Sequence, residues 1–233
     1  ALLCVAASAN AQVLNTGDDF NSGLGSQWTT YYSYGGDREP GSIDATGGVG
    51  GSGAYTNTGA GFGAAAACIY DDCSAVAANS TVTFTADVNI SNTWTRLQIA
   101  GAGLTSSGAG DDISGANING SGNNLQATAG GAEPSVSPSP NWSSGWMQAQ
   151  VSVDIGSAGI VELTTASYRS SASSPWVSVS VGGSAPGQVT HIGMDVGQGT
   201  MIDNVQVNVI PEPATLGMLS LGLCGLALMR RRR

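Results

Sequence analysis

The chain has 233 residues and no lysine, and between Gln12 and Ile210 only Arg38, Arg96 and Arg169 stand against 15 Asp and Glu, a net charge of −12. Such a charge excludes electrostatic attraction to nucleic acid or anionic lipid, and it suits a solvated surface that meets divalent cations. The length allows one domain with a core of its own once both ends are set aside.

Residues 1–11 read as the end of a signal peptide cut short at its N-terminus. Leu2 to Ala7 are apolar, and Ala9 and Ala11 supply the small residues that signal peptidase needs after Sec export. Cleavage is expected after Ala11; an ordinary N-terminal strand is the alternative. Cys4 and Cys224 fall in segments that processing removes. Cys68 and Cys73, in ACIYDDCS, have the spacing of a disulfide loop across a turn with Asp71 and Asp72 at its tip. Zinc would need two further ligands, which the single histidine, His191, does not supply.

Strands are expected where apolar residues alternate with polar ones. In Thr81 to Ile90 the inward set is Val82, Phe84, Ala86, Val88 and Ile90. In Met147 to Ile155 it is Met147, Ala149, Val151, Val153 and Ile155. Shorter runs follow at 161–165, 177–181, 192–196 and 205–209, separated by Gly156, Gly182-Gly183, Pro186-Gly187 and Gly197 to Gly199. No helical period precedes the tail. Many short one-faced strands bury that face by packing two antiparallel sheets, so residues 12–210 are expected to form one all-β sandwich. Glu133 to Gly145 reads as a long surface loop, because Gly101 to Gly131 is too poor in branched apolar residues to form a separate core. A β-solenoid is the alternative, without a fixed repeat to support it.

At Pro211 the chemistry changes. Pro211, Glu212 and Pro213 end the last strand and hold the peptide extended. An apolar run from Ala214 to Met229 follows, carrying Leu216, Leu219, Leu221, Leu223, Leu226 and Leu228. Its 16 residues would reach about 24 Å as a hydrophobic helix, against a hydrocarbon core of roughly 30 Å. Arg230, Arg231, Arg232 and Arg233 would stop transfer and stay cytoplasmic. This three-part segment, residues 211–233, resembles the PEP-CTERM sorting signal of Gram-negative bacteria. The resemblance implies that an exosortase recognises Pro211, Glu212 and Pro213 and removes the tail. It further implies export across the inner membrane, transient anchoring by the C-terminal helix, and a final place on the cell surface or in the matrix of a species that makes exopolysaccharide. A permanent single-pass anchor is the alternative, and it has no need of Pro-Glu-Pro.

Asp18 to Tyr31 and Thr200 to Val207 resemble the first and last strands of concanavalin A-like jelly rolls, a family of lectins, sugar-binding modules and some glycosidases. Galactose-binding-like jelly rolls end similarly and stay open. Strict alternation places Asp203 on the core side with Val205, Val207 and Val209, so a bulge, hydrogen bonds or a structural calcium must accommodate it. Asp18-Asp19 and Asp111-Asp112 invite the same calcium idea without the ligand spacing of a calcium loop. No other cofactor or metal is expected.

An enzyme is not expected. The four glutamates, Glu39, Glu133, Glu162 and Glu212, begin no Glu-x-Asp-x-x-Glu strand of the laminarinase-like kind. No serine sits in a Gly-x-Ser-x-Gly elbow, and His191 reads as a surface or sheet-edge residue. Trp142, Trp146, Trp28, Tyr31, Tyr32 and Tyr34 are the candidates for stacking on sugar rings. Of these, Trp142 is expected to be the exposed glycan contact, while Trp28 and Trp146 pack on the core. The leading expectation is a non-enzymatic surface or matrix protein, with a carbohydrate-binding module for exopolysaccharide and a divergent glycoside hydrolase as alternatives.

Overall fold

The computed structural model describes residues 16–33, 41–58, 66–72, 78–91, 94–100, 113–120, 122–129, 132–183, 189 and 191–211. The signal-peptide residues Ala9 and Ala11, the apolar run with its expected helix, and the four terminal arginines lie outside them.

The strands in chain order are β1 (Thr16–Asp18), β2 (Thr29–Ser33), β3 (Ser42–Asp44), β4 (Ala54–Thr56), β5 (Ala66–Asp72), β6 (Ser80–Asn89) and β7 (Trp94–Ala100). They continue with β8 (Ile113–Asn119), β9 (Asn124–Ala129), β10 (Met147–Ile155), β11 (Val161–Arg169), β12 (Val177–Gly182), β13 (His191–Val196) and β14 (Met201–Pro211). One sheet has eight strands in the order β12-β11-β10-β6-β14-β4-β3, with β1 also paired to β14. The other has six, in the order β2-β5-β13-β7-β8-β9, and all pairings are antiparallel. The expected all-β sandwich is therefore present, and no α-helix occurs among the described residues.

Alternation builds the sandwich. β6 and β10 alternate buried and half-buried positions without a break, and Met147 to Ile155 pair with Val88 to Ser80. Val82, Phe84, Ala86, Val151 and Val153 thereby share one core with Leu97, Ile99, Ile192 and Met194 of the facing sheet. Burying a side chain such as Phe84 stabilises the fold by roughly 1.5–3 kcal/mol. Gly101 to Gly131 also supplies β8 and β9, whose Ala116, Ile118, Leu125 and Ala127 fill the same core. Alanines alternating with Ile118 and Leu125 complete the second sheet at a volume that four large side chains would exceed. The segment from Glu133 is a loop as expected, but Val136 and Trp142, which opens the 3-10 turn Trp142–Ser144, fold inward from it.

The outer face of the eight-stranded sheet is a ladder of paired polar side chains. Thr81 Oγ1 donates to Asp154 at 2.8 Å, Thr83 and Ser152 hydroxyls meet at 3.1 Å, and Gln150 Nε2 donates to Thr85 Oγ1 at 3.0 Å. Each such cross-strand pair is worth about 0.2–1 kcal/mol.

Candidate functional site

β14 organises the candidate sites, because it lies between β6 on one side and β4 and β1 on the other. The first and last strands meet directly, with Thr16 opposite Val207 and Asp18 opposite Val205. Near its start β14 carries a bulge between Asp203 and Gln206, with Asn204 at φ 48°. Asn tolerates this left-handed conformation better than most residues. The bulge gives Ile202 the core position opposite Val88 and sets Asp203 opposite Asp87, on the other face. There the loop Gly48 to Ser52 closes over Asp203 and buries it completely.

Its carboxylate accepts three hydrogen bonds. Oδ2 takes the Val49 N–H at 2.8 Å and the Ser52 hydroxyl at 2.7 Å, and Oδ1 takes the Asn204 N–H at 2.6 Å. Of the three accommodations expected for Asp203, the molecule combines the bulge with hydrogen bonding. Gly48 permits the approach, since a Cβ there would lie 2.7 Å from Asp203 Oδ2 and would collide with the Gly53 carbonyl. Asp18 plays a parallel part. Oδ1 accepts the Phe20 N–H at 2.8 Å, while Oδ2 accepts the Gly25 N–H at 3.0 Å and Trp28 Nε1–H at 3.1 Å. Asp19 is held below its ordinary 3.8 by the backbone N–H of Asn21 and then by its side-chain amide. An open groove of about 490 Å³ runs between Asp18, Asp19 and Asn204 to Gln206. Among the described residues no group of three or more His, Cys, Asp or Glu could hold a metal ion. Asp111 and Asp112 lie outside those residues.

Trp142 is not the exposed glycan contact that its loop position suggested. It is 1% exposed, its ring lies 6.1 Å from that of Tyr168, and its Nε1–H donates to the Asn124 carbonyl at 3.3 Å. The 3-10 turn tips the indole into the open end of the sandwich, where a large apolar ring gains more from burial than from solvent. Burial raises the Tyr168 phenol above its ordinary 10.0, and its O–H donates to the Pro138 carbonyl at 2.8 Å. Trp28 is buried as expected, and Trp146 is half-buried. Sequence reasoning passed over the half-exposed Trp176. The Arg169 guanidinium stacks 4.4 Å from its ring, beside a cavity of about 350 Å³ lined by Asn141, Tyr168, Ser174 and Pro175 among others. A scarce cation next to a Ser/Pro-flanked tryptophan was the available signal.

Two further expectations change. Asp71 and Asp72 belong to β5, paired with Ile192 and His191, so they are not the tip of a turn. Cys68 lies in the same strand, and its expected disulfide partner Cys73 lies outside the described residues. His191 opens β13, which runs between β5 and β7, so it is not on a sheet edge. The same strand brings the buried Asp195 opposite Arg96, and Arg96 opposite Asn117, across the outer side of the six-stranded sheet. Sequence alone did not bring these residues together.

At its far end β14 pairs Ile210 with Thr81 and Pro211 with Ser80. The expected recognition tripeptide thus begins on the last paired residue of the sheet, with Glu212 and Pro213 outside the described residues. Among the described residues no helix is long and apolar enough to cross a membrane.

No curated protein matches the chain. Similar solved structures include lectin I-B4 from Griffonia simplicifolia, with 14% identity, a TM-score of 0.45 and coverage of 78% of this chain and 98% of that one. The carbohydrate-binding module CBM66 from Bacillus subtilis has 12% identity, a TM-score of 0.46 and coverage of 78% and 95%. The CBM2 module of the evolved Dit protein of Lactobacillus casei BL23 phage J-1 has 10% identity, a TM-score of 0.48 and coverage of 84% and 95%. Residues 209–233, which begin within the last three residues of β14, match the model of the PEP-CTERM protein-sorting motif, so this chain carries the signal for export and membrane-anchored sorting.

Proposed function

We propose that this is an exported, non-enzymatic surface or matrix protein of a Gram-negative bacterium, held at the membrane by residues 214–229 until an exosortase cuts near Pro211, Glu212 and Pro213. The observation that carries the reading is the motif match over residues 209–233, placed where β14 leaves the sheet. The core of the described residues is drawn from the chain up to Val209, ahead of the expected cut. The half-buried Asp18 and the buried Asp203 serve as loop fasteners and not as acid or base. Intact-mass analysis of the protein recovered from its host's surface or medium tests the proposal. A C-terminus between Pro211 and Ala214 is the expected result; a mass that retains Arg233 means a permanent anchor and refutes it.

A second reading, a sugar-binding module for exopolysaccharide, is favoured by one observation: the half-exposed Trp176, stiffened by Arg169, beside a polar-rimmed cavity. An indole face and neighbouring hydroxyls suit a pyranose ring. On this reading Trp176→Ala abolishes retention on immobilised host polysaccharide while the thermal midpoint stays unchanged. Equal retention of both proteins, or retention of neither, ends it.

A further inference from the structure

An edge strand offers a row of backbone donors and acceptors to any chain that can pair with it. Three edges of this sandwich are blunted. β1 and β3 are three residues long and carry Asp18 and Asp44. β9 is covered by its own chain: the Ala127 N–H donates to the Pro134 carbonyl at 3.0 Å, the Val136 N–H donates to the Leu125 carbonyl at 2.9 Å, and Ala129 bridges to Ala132.

β12 is different. Its six residues, Val-Ser-Val-Ser-Val-Gly, pair with β11 without a bulge, from Tyr168 opposite Val177 to Leu163 opposite Gly182. No proline interrupts the strand, and no charge occurs from Ser170 to Gly183. Among the described residues β11 is its only backbone partner. Val177, Val179 and Val181 pack on the core yet stay half-buried at this flank. Ser178 and Ser180 are exposed and end the hydroxyl ladder, meeting Ser167 at 2.8 Å and Thr165 at 2.7 Å.

The two ends of β12 carry opposite charge. At its start the Arg169 guanidinium lies over Trp176, and its hydrogen-bond partners, Gln148 and the Ala172 carbonyl, are neutral. At its finish stand two exposed carboxylates. Glu162 is next to Leu163, and its carbonyl accepts the Gly183 N–H at 3.3 Å. Glu133 follows Ala132, whose bridge partner Ala129 would meet a Cβ on Gly183 at 3.5 Å. A strand positive at one end and negative at the other is complementary to its own antiparallel copy.

We propose that β12 pairs with β12 of a second copy about a two-fold axis through Val179, joining the two eight-stranded sheets into one. Residues directly opposite share a face, so valine meets valine and serine meets serine. Val177 then lies opposite the second copy's Val181, and Ser178 opposite its Ser180. Trp176 meets the second copy's Gly182, which has no side chain to displace the indole. Arg169 of each copy faces the Glu162 and Glu133 end of the other, so the seam is attractive twice although both bodies are acidic. The two-fold consumes both open β12 edges, and the assembly closes at two copies.

The test is sedimentation velocity on the protein purified from its host, with and without substitutions in β12 and its flanks. The wild type should form a dimer that dissociates on dilution. Arg169→Glu should weaken it roughly tenfold, and adding Glu162→Arg and Glu133→Arg should recover most of the loss. Val179→Cys should give a covalent dimer under mild oxidation, because paired Cα atoms lie about 4.5–5.5 Å apart and a disulfide spans up to roughly 7 Å. The wild type, with its own cysteines, and Thr83→Cys in the middle of the sheet should give none. A monomer at every concentration overturns the proposal. So does a dimer in which Val179→Cys stays uncrosslinked, because it forms through another surface. A dimer indifferent to the charge reversal overturns it too, since an antiparallel seam brings those charges together.

Discussion

The two ends of β14 are built on opposite principles. Around its start, polar and aromatic groups fasten loops onto the sandwich. Asp203 gathers Val49, Ser52 and Asn204, Asp18 gathers Phe20, Gly25 and Trp28, and Trp142 and Tyr168 close the gap between the sheets. Around its end the described residues hold β14 by the ladder to β6, with Ile210 facing out. Loops that cross the sheets need fasteners, because their backbone donors have no strand partner. Where β14 finishes, its neighbours β6 and β10 need none, since β10 turns straight into β11 through Gly156 to Ile160. Stability should therefore be concentrated at the fastened end.

The largest effect is expected from Trp142→Ala. Emptying a wholly buried indole site should cost about 3–5 kcal/mol in denaturant unfolding of the tail-less domain. A cost under about 1 kcal/mol would show that the indole is a surface residue after all. Next comes Asp203→Ala, which strands the Val49 N–H and leaves the Ser52 hydroxyl only the Val49 carbonyl as acceptor. About 2–3 kcal/mol is expected, with faster amide exchange at Val49 and Asn204 than at Thr83. Uniform exchange changes across both ends would mean that the loop is not separately fastened. The smallest effect belongs to Ile210→Ser, expected within about 0.5 kcal/mol because its side chain is already in water in the released domain. A loss comparable to that of Asp203→Ala would erase the contrast between the ends.

Legibility in the sequence follows side-chain size. β6 and β10 could be read position by position, since Val, Phe, Met and Ile alternate there with Thr, Gln and Asp. β8 and β9 were harder, because half of their inward positions are alanine, which leaves the alternation of Ala116, Ile118, Leu125 and Ala127 with Asn117, Gln126 and Thr128 a small amplitude. β3 and β4 are only three residues each, too short for a period to show. At the sites, Pro211, Glu212 and Pro213 were legible because a sorting signal is read as a linear string. Asp203 was legible as an anomaly, its core-side phase conflicting with its charge, but the loop that resolves the conflict is some 150 residues earlier in the chain. Trp142 misled because loop tryptophans resemble platforms in sequence, and only the sense of a 3-10 turn decides which way the ring points. Asp71 and Asp72 fitted the tip of a turn equally well in sequence; the ladder of β5 to β13 shows that both are extended.

The pairing of β1 with β14 also fixes an order of events. For a chain delivered N-terminus first, β14 is the last strand to arrive, yet it belongs in the middle of the larger sheet, between β6 and β1. Until it emerges, β6 has an open edge and Phe84 and Val82 lack their neighbours Val207 and Val209. Contacts spanning nearly the whole sequence are slow to form. The sandwich can close only after Pro211 has passed, when the apolar run is already next in line. Folding of the body and arrival of the sorting signal are thereby locked to the same moment, and a chain truncated before residue 201 would deliver neither a finished domain nor an address.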